Sequence, residues 1–202
     1  MGSKDRIQRL KDETRCKILD ASLAIVKEEG WAALSMRKIA DKIEYTAPII
    51  YEYFSNKDAI LTELTRIGYL KLAEQMKEAE RKHADPIEQL KSMWLAYWNF
   101  AFEEKELYQV MYGVEVNCCV MENACPDMQV PSNMLWDKIA EIIPEDMRTD
   151  EYIDIKYYTF WSVVHGLISI NMTNRLSTDE INRQVLSDAL NGIVASMTVR
   201  TT

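Results

Sequence analysis

The feature that most restricts the fold is a series of helix start signals within residues 34–61, LSMRKIADKIEYTAPIIYEYFSNKDAIL. Ser35 can cap a first helix, because a serine side chain accepts hydrogen bonds from the free N–H groups of a first turn. Pro48 lies where a second helix begins, and proline is tolerated there because its missing N–H would be unpaired anyway. Ser55 and Asp58 have the spacing of a capping box. The segment therefore predicts two short helices joined by a tight turn and followed by a third helix.

Helical periodicity continues through the rest of the chain, where apolar residues recur every three to four positions. Only 6 glycines and 5 prolines occur in 202 residues, so few positions can interrupt a helix. We predict an all-α fold with about nine helices. The predicted helices cover about 8–29, 36–43, a short stretch after Thr46, Ser55 to about Lys82, 86–103, 105–112, 132–143, 150–174 and 178–198. The helix at 86–103 is apolar nearly all round, which predicts that it is buried in the middle of its domain.

Charge is distributed unevenly along the chain. The net charge is -8, yet residues 1–83 contain 16 basic and 14 acidic side chains, against 8 and 18 in the remainder. The acidity of the whole chain therefore says little about a small N-terminal module. We predict a helix-turn-helix domain at residues 1–56 and a larger helical domain for ligand binding and dimerisation at residues 57–202.

A helix-turn-helix can place its second helix in the major groove of DNA, with the first turn nearest the base edges. Small and apolar side chains in that turn can contact a thymine methyl group, while hydroxyl and basic side chains around it reach phosphates. Two helices with a short turn also occur in plain helical bundles, so the motif alone leaves both interpretations open. The predicted DNA-binding residues are Ser35, Arg37, Lys38, Thr46, Ala47, Pro48, Ile49, Tyr51, Tyr53 and Lys57.

Residues 18–61 resemble the N-terminal signature of the tetracycline-repressor (TetR) family. The resemblance rests on the segment ILDASLAIVKEEGWAALSM and on Ser35, Arg37, Ile39, Ala40, Tyr51, Tyr53, Phe54 and Lys57. It implies a ligand-responsive transcriptional repressor whose homodimer binds a palindromic double-stranded DNA operator. The two recognition helices would lie about one DNA turn apart. An unknown small-molecule effector in the C-terminal domain would change their spacing through the fourth helix.

Two residues depart from the family pattern in the turn. Glu44 occupies the position usually held by glycine, and Tyr45 follows where a small aliphatic residue is usual. A left-handed backbone at a residue other than glycine costs about 1 kcal/mol. An acidic side chain facing DNA would also weaken the attraction to phosphates. We still expect DNA binding, with a slightly reshaped turn.

The last two helices each carry two apolar faces, more than a terminal helix buries within one small domain. Small residues in the last helix also permit close approach of another helix. We predict a homodimer through a four-helix bundle, although a single deep core would explain the same pattern. The predicted interface residues are Tyr157, Val164, Ile168, Val185, Ala189, Gly192 and Ser196.

Aromatic and methionine residues of the C-terminal domain can line an apolar cavity with a few polar tips, although such a stripe also builds an ordinary core. The predicted pocket residues are Trp94, Tyr97, Trp98, Tyr108, Met111, Tyr112, Met134, Tyr158, Trp161 and His165. The W-x-x-x-H-G pattern at residues 161–166 resembles one found in a subgroup of the family. His165 is then either a hydrogen-bonded core histidine or a ligand-contacting, pH-sensitive one.

Three cysteines, Cys118, Cys119 and Cys125, leave three interpretations open: ordinary loop cysteines, a thiol sensor, or metal ligands. Their spacing is not a usual zinc spacing, and acidic neighbours lower thiol reactivity. We predict no metal and no cofactor. The chain also lacks a nucleophile elbow, a phosphate loop, an H-E-x-x-H motif and a dinucleotide fingerprint, so we predict that it is not an enzyme.

No apolar run reaches the roughly 18 residues needed to span a bilayer, and the charged N-terminus has no apolar signal segment. We therefore expect a cytoplasmic protein without a membrane partner. The alternative function is a helical adaptor that does not bind DNA, which Glu44, Glu52 and the acidic C-terminal part keep open.

Overall fold

The computed structural model describes residues 3–113, 125–173 and 178–198. Within these residues the chain forms nine α-helices and no β-strand, which confirms the predicted all-α fold. The helices are α1 Ser3–Glu29, α2 Met36–Lys42, α3 Ala47–Tyr53, α4 Lys57–Glu80, α5 Pro86–Glu103, α6 Lys105–Tyr112, α7 Val130–Ile142, α8 Asp150–Thr173 and α9 Asp179–Thr198. Short 3-10 turns lie at Trp31–Ala33, Pro126–Gln129 and Glu145–Met147. None of the helices in the described ranges is both long and apolar enough to cross a membrane.

Helix α1 begins at Ser3, five residues before the predicted start. Asp5 lies in the first turn, where its negative charge complements the helix dipole. Gln8 donates a hydrogen bond to Asp12 at 2.9 Å, one turn further along, and such pairs stabilise an exposed helix by a few tenths of a kcal/mol. The basic residues near the N-terminus therefore lie on a helix.

The predicted capping box at the start of α4 is wrong. Asn56, not Ser55, immediately precedes the first helical residue. Its Oδ1 accepts a hydrogen bond from the backbone N–H of Ala59 at 2.8 Å. Asparagine and serine are equally good caps. Asn56 is the cap because α4 begins at Lys57, the residue directly after it.

The starts of α5 and α9 also carry side-chain caps. Asp85 before Pro86 is a cap signal in the sequence, and Asp85 accepts a hydrogen bond from the N–H of Glu88 at 3.0 Å. Thr178 accepts one from the N–H of Ile181 at 3.3 Å and so caps α9. The spacing of Ser177 and Glu180 predicts a capping box at this start, but Ser177 lies outside the described residues.

The chain divides into two compact units. Among the described residues, the first unit contains 3–68 and 106–113, and the second contains 69–105, 125–173 and 178–198. The first unit thus holds the helix-turn-helix, the first half of α4 and nearly all of α6. The predicted domain boundary after residue 56 stays a prediction.

Each unit has its own apolar core. In the first, completely or almost completely buried side chains come from α1 to α4: Ile18, Ile25, Ile39, Ile50, Ile60 and Leu64. In the second, the ring of Trp94 stacks on Phe160 with centroids 5.5 Å apart and meets Tyr97 edge-on at 5.8 Å. Most apolar side chains of α5 are buried, in line with the prediction that this helix lies in the middle of its domain, while Leu95 and Phe102 are 44% and 42% exposed.

Candidate nucleic-acid interface and effector site

The turn between α2 and α3 is closed by two backbone hydrogen bonds. The N–H of Tyr45 donates to the carbonyl of Ala40 at 2.9 Å, and the N–H of Glu44 donates to that of Asp41 at 3.3 Å. This pair of bonds is a Schellman motif, which needs a left-handed residue directly after the helix. Glu44 supplies it with φ 59°, a backbone that favours glycine. Glu44 thus adopts the backbone that glycine would have here, and the turn keeps regular Schellman geometry and not the slightly reshaped form expected from the sequence.

Some side chains at the start of α3 are exposed to solvent and others are partly buried. Thr46 precedes the helix in an extended conformation, is exposed, and its hydroxyl makes no capping hydrogen bond. Pro48 lies in the first turn and is exposed, so the proline starts this helix as predicted. Ala47 and Ile49 are half-buried, while Ile50 is completely buried. The turn predicted to face base edges is therefore accessible.

Arg15 of α1 holds the C-terminal end of α3 in place. Phe54 is buried, and the guanidinium carbon of Arg15 lies 4.4 Å from the centroid of its ring. Arg15 Nη1 also donates to the carbonyl of Tyr53 at 3.5 Å. Tyr51 remains 54% exposed and Tyr53 half-buried. Arg15 thus supports the C-terminal end of α3, a contact that the sequence pattern did not predict.

A carboxylate holds this arginine in place. Glu63 on α4 forms an ion pair with Arg15 at 3.3 Å and accepts two hydrogen bonds from Arg66, at 2.9 and 3.2 Å. The hydrogen bonds from Arg66 outweigh the effect of burial and hold the pKa of Glu63 below its ordinary value of 4.5. The contact joins residues 48 positions apart, and no local pattern in the sequence predicts it.

The basic side chains of the predicted interface differ in availability. Ser35 caps α2 through a hydrogen bond from the N–H of Lys38 at 3.3 Å, and Arg37 beside it is exposed. The ammonium group of Lys38 pairs with Glu29. Lys57 is half-buried and donates to the carbonyl of Trp31 at 3.1 Å, so it also stabilises the 3-10 turn after α1.

The ten predicted pocket residues are divided between the two units. Tyr108, Met111 and Tyr112 belong to the first unit, and Trp94, Tyr97, Trp98, Met134, Tyr158, Trp161 and His165 belong to the second. Tyr158 is 59% exposed on the outer side of α8, which excludes it from the interior. Its place in the predicted pocket is wrong, because the period of a helix with two apolar faces does not show which face turns inward.

His165 lies among aromatic side chains of the second unit. Its Nδ1 is 3.4 Å from the hydroxyl of Tyr97, and its ring stacks on Trp161 at 5.0 Å with an interplanar angle of 17°. Burial lowers the pKa of His165 below its ordinary value of 6.5. Near this cluster the buried indole N–H of Trp94 has no hydrogen-bond acceptor among the described residues.

The predicted dimer residues fall into two groups. Val164 and Ile168 are completely buried, so they pack inside the protomer and offer a partner no side-chain surface; their place in the interface is wrong. Tyr157 and Ala189 are half-buried, while Gly192 and Ser196 are exposed. The large apolar side chains that do remain exposed on α8 and α9 are Ile155, Tyr158, Val163, Ile170, Ile181 and Val185.

Of the three cysteines considered in the sequence, Cys125 is a half-buried free thiol, and Cys118 and Cys119 lie outside the described residues. Within the described ranges, no group of three or more His, Cys, Asp or Glu side chains is arranged to hold a metal ion.

Comparison with known proteins decides the family. The family model described as "Bacterial regulatory proteins, tetR family" matches residues 18–64. A second model, "Tetracyclin repressor-like, C-terminal domain", matches residues 90–191, about half of the chain. The chain belongs to the tetracycline-repressor family.

Individual relatives in the TetR family have low sequence identity to this chain. The transcriptional repressor KstR2 of Mycobacterium tuberculosis is 25% identical over 199 residues, covering 94% of this chain and 97% of KstR2. The transcriptional activator FasR of Mycolicibacterium smegmatis is 23% identical, covering 72% of this chain and 66% of FasR. The solved structure of the fatty acid degradation regulator FadR from Bacillus halodurans has a TM-score of 0.71 at 14% identity, covering 89% of this chain and 94% of that one. The structural likeness shows the shared fold.

Proposed function

We propose that this TetR-family protein is a DNA-binding transcriptional repressor that leaves its operator when a small molecule binds the second unit. The observation that carries the proposal is the α2–α3 motif, whose second helix begins with an exposed first turn. Arg37 and Tyr51 are exposed on the same motif, where they can donate to phosphates. Repression is preferred to activation because the match to the repressor KstR2 covers more of the chain than the match to the activator FasR.

Helix α3 is suited to contact DNA bases because the residues that hold it in the domain lie on a different side from its exposed residues. Ile50 and Phe54 anchor the helix in the core, and Arg15 holds its C-terminal end. A recognition helix fixed in this way presents Thr46 and Pro48 without reorganisation on binding, which lowers the entropic cost of forming the complex. Contacts to phosphates would supply most of the affinity and make it depend steeply on salt.

A homodimer is the second part of the proposal. The exposed apolar side chains of α8 and α9 form a surface that water contacts in a single chain, and such surfaces mark interaction sites. Two copies packed through these helices would form a four-helix bundle and pair two recognition helices for a palindromic site. Tyr157, Val185, Ala189, Gly192 and Ser196 stay in the proposed interface, joined by Ile155 and Tyr158.

The effector is the third part. The indole N–H of Trp94 is a buried donor with no acceptor in the described chain, and such a group usually meets a ligand or an ordered water. A ligand oxygen could accept from it close to Tyr97 and His165. Helix α4 contributes residues to both units, so a ligand that favours one position of its second half would shift the population of DNA-binding arrangements.

Operator binding can be tested without knowing the regulated gene. A random-sequence duplex library would be selected on the purified full chain, and the enriched duplex titrated at several salt concentrations. We expect a steep loss of affinity with salt, and at least about fivefold weaker binding by Tyr51→Ala and by Arg37→Ala. Arg81→Ala, on an exposed arginine after α4, is the matched control and should bind like the unchanged chain.

Lys57→Ala should weaken binding too, but it also removes the hydrogen bond to Trp31, so its unfolding midpoint has to be measured beside its affinity. Failure to enrich any duplex would contradict the proposal and favour the helical adaptor. An affinity for DNA that does not change with salt concentration would also contradict the proposal. Unchanged affinity of Tyr51→Ala and Arg37→Ala would contradict the assigned role of α3.

A further inference from the structure

The N-terminal part of α1 extends beyond the core of the first unit. Every side chain from Lys4 to Glu13 is exposed, whereas Ile18 and Ile25 further along the same helix are buried. At 1.5 Å per residue, the exposed part is about 15 Å long. Because it buries no apolar side chain, this stretch adds little to the core of the domain, and its surface stays open to a partner.

Charged residues are sorted by side around this part of α1. At 100° per residue, one half of the helix circumference holds four basic residues: Lys4, Arg6, Lys11 and Lys17. The acidic residues between positions 4 and 20 all fall in the other half: Asp5, Asp12, Glu13 and Asp20. We call the first set the cationic face. A chain with an acidic net charge thus carries a basic surface on one side of its first helix.

The side chains of the cationic face are available for binding. All four are exposed, and none forms an ion pair or a side-chain hydrogen bond with the described part of the chain. Glu13 is the acid nearest to the face around the helix, and it pairs with Arg9 at 3.5 Å. The carboxylate closest to the face is therefore already compensated by a cation of the other half.

Two cations of the face lie in line with a residue that contacts the recognition helix. Lys4, Lys11 and Arg15 lie within about 40° of one another around α1. The guanidinium carbon of Arg15 is 4.4 Å from the ring centroid of Phe54, directly after α3. Along the helix axis, Lys11 and Lys4 are about 6 and 16 Å from Arg15. The cationic face therefore begins beside the C-terminal end of α3 and continues away from it.

DNA phosphates suit this face better than a lipid surface does. Lysine and arginine contacts to phosphates need no particular base sequence and supply affinity. Basic helices also bind anionic membranes, but they then bury a broad apolar face in the lipid. Here only two large apolar side chains, Ile7 and Leu10, lie exposed between the cations. A duplex held by α3 would also bring its own phosphates close to Arg15 and Lys11.

We propose that the cationic face of α1 binds phosphates of the operator that flank the bases contacted by α3. The inference rests on the proposed function, since it requires α3 to hold a duplex. At about 3.4 Å per base pair, the 16 Å from Arg15 to Lys4 correspond to about five base pairs. The face would lengthen the contacted duplex by that amount and would not add to base specificity.

Two duplexes and one double variant test the assignment. The duplex enriched on the full chain would be shortened to the bases whose replacement weakens binding, and a second duplex would keep six further base pairs at each end. Lys4→Gln combined with Lys11→Gln should weaken binding to the long duplex about fivefold to tenfold. The slope of log affinity against log salt should fall by about 2 for each copy of the chain. Both proteins should bind the short duplex alike.

Controls separate a phosphate contact from an effect of overall charge. Lys4→Arg combined with Lys11→Arg keeps both charges and should keep the affinity for the long duplex. Arg81→Gln combined with Lys82→Gln removes two charges from exposed positions after α4 and should change neither affinity nor salt slope. Equal unfolding midpoints show that the variants fold, as expected for glutamine in an exposed helix.

The outcomes distinguish this inference from the proposed function. Failure of the unchanged chain to bind any duplex would overturn both. Binding by the unchanged chain, with the same affinity and salt slope in the Lys4 and Lys11 double variant, would overturn this inference alone. Equal losses on the short and the long duplex would also overturn it, because the lysines would then not contact flanking phosphates. Binding to phosphatidylglycerol vesicles that the double variant loses, at unchanged DNA affinity, would assign the face to a lipid surface instead.

Discussion

Glu44 stands where a Schellman motif calls for glycine, and replacing it tests whether the turn is strained. Its φ of 59° lies in the left-handed region, where a side chain costs about 1–2 kcal/mol. Glu44 is exposed, so Glu44→Gly removes no packing. Glycine lowers stability by about 0.4–1 kcal/mol through the entropy of the unfolded chain. The net expectation is a gain of about 0.5–1 kcal/mol in the free energy of unfolding.

Two further variants separate strain from charge. Glu44→Gln removes the charge and keeps the strain, while Glu44→Asn removes the charge and tolerates the left-handed backbone better. Stability should therefore rank glycine above asparagine, and asparagine above glutamine and the native glutamate. For a chain of this size the glycine variant should melt about 1–4 °C higher.

Urea unfolding followed by circular dichroism gives the ranking, with all four proteins measured in one buffer. A glycine variant no more stable than the glutamine variant would refute the reasoning, since it would mean that the left-handed backbone carries no penalty at this position. A glutamine variant clearly more stable than the native glutamate would show that the charge of Glu44 adds to the cost of the backbone.

Three other changes follow from the structure. Burial lowers the pKa of His165, so near pH 6.5 the unfolded chain takes up a proton that the folded chain does not. The free energy of unfolding should therefore fall as pH decreases from about 7.5 to 5.5, and His165→Asn should flatten this slope in urea titrations. Glu63→Gln should lower the free energy of unfolding by about 1–3 kcal/mol at pH 7, because Arg15 loses its ion-pair partner. The difference between the two proteins should shrink as pH falls below 4.5, where the native Glu63 also loses its charge. Urea titrations at several pH values measure it. Gly192→Ala adds a Cβ that meets nothing within 4 Å in the single chain, so the variant protomer should fold normally. A weaker dimer in concentration-dependent sedimentation would place Gly192 at a close helix contact between two copies. An unchanged dimer would remove Gly192 from the proposed interface.

The sequence predicted most helices because their signals are local. Ser35, Asp85 and Pro48 act within one turn of where they stand, so caps and first turns follow from short patterns. The start of α1 was missed because it depends on weak pairs along an exposed helix, such as Gln8 with Asp12, that leave no apolar pattern.

Tertiary packing explains the remaining errors. Helix α8 carries two apolar stripes, and periodicity alone cannot tell that Val164 turns into the protomer while Tyr158 turns out. The support of the recognition helix was missed because Arg15 and Glu63 are far apart in sequence. The exposure of Leu95 and Phe102 on α5 was missed because large apolar side chains in an apolar helix are expected to be buried.

The recognition helix keeps its anchoring residues and its exposed residues on different sides. Thr46 and Pro48 are exposed, whereas Ile50 and Phe54 are buried and Arg15 holds the end of the helix. Exchange of the outward residues would leave the scaffold beneath them intact. If these outward residues read DNA as proposed, a lineage with this fold can acquire a new target sequence through a few substitutions on one helical turn, without having to evolve a new way of holding that turn in place.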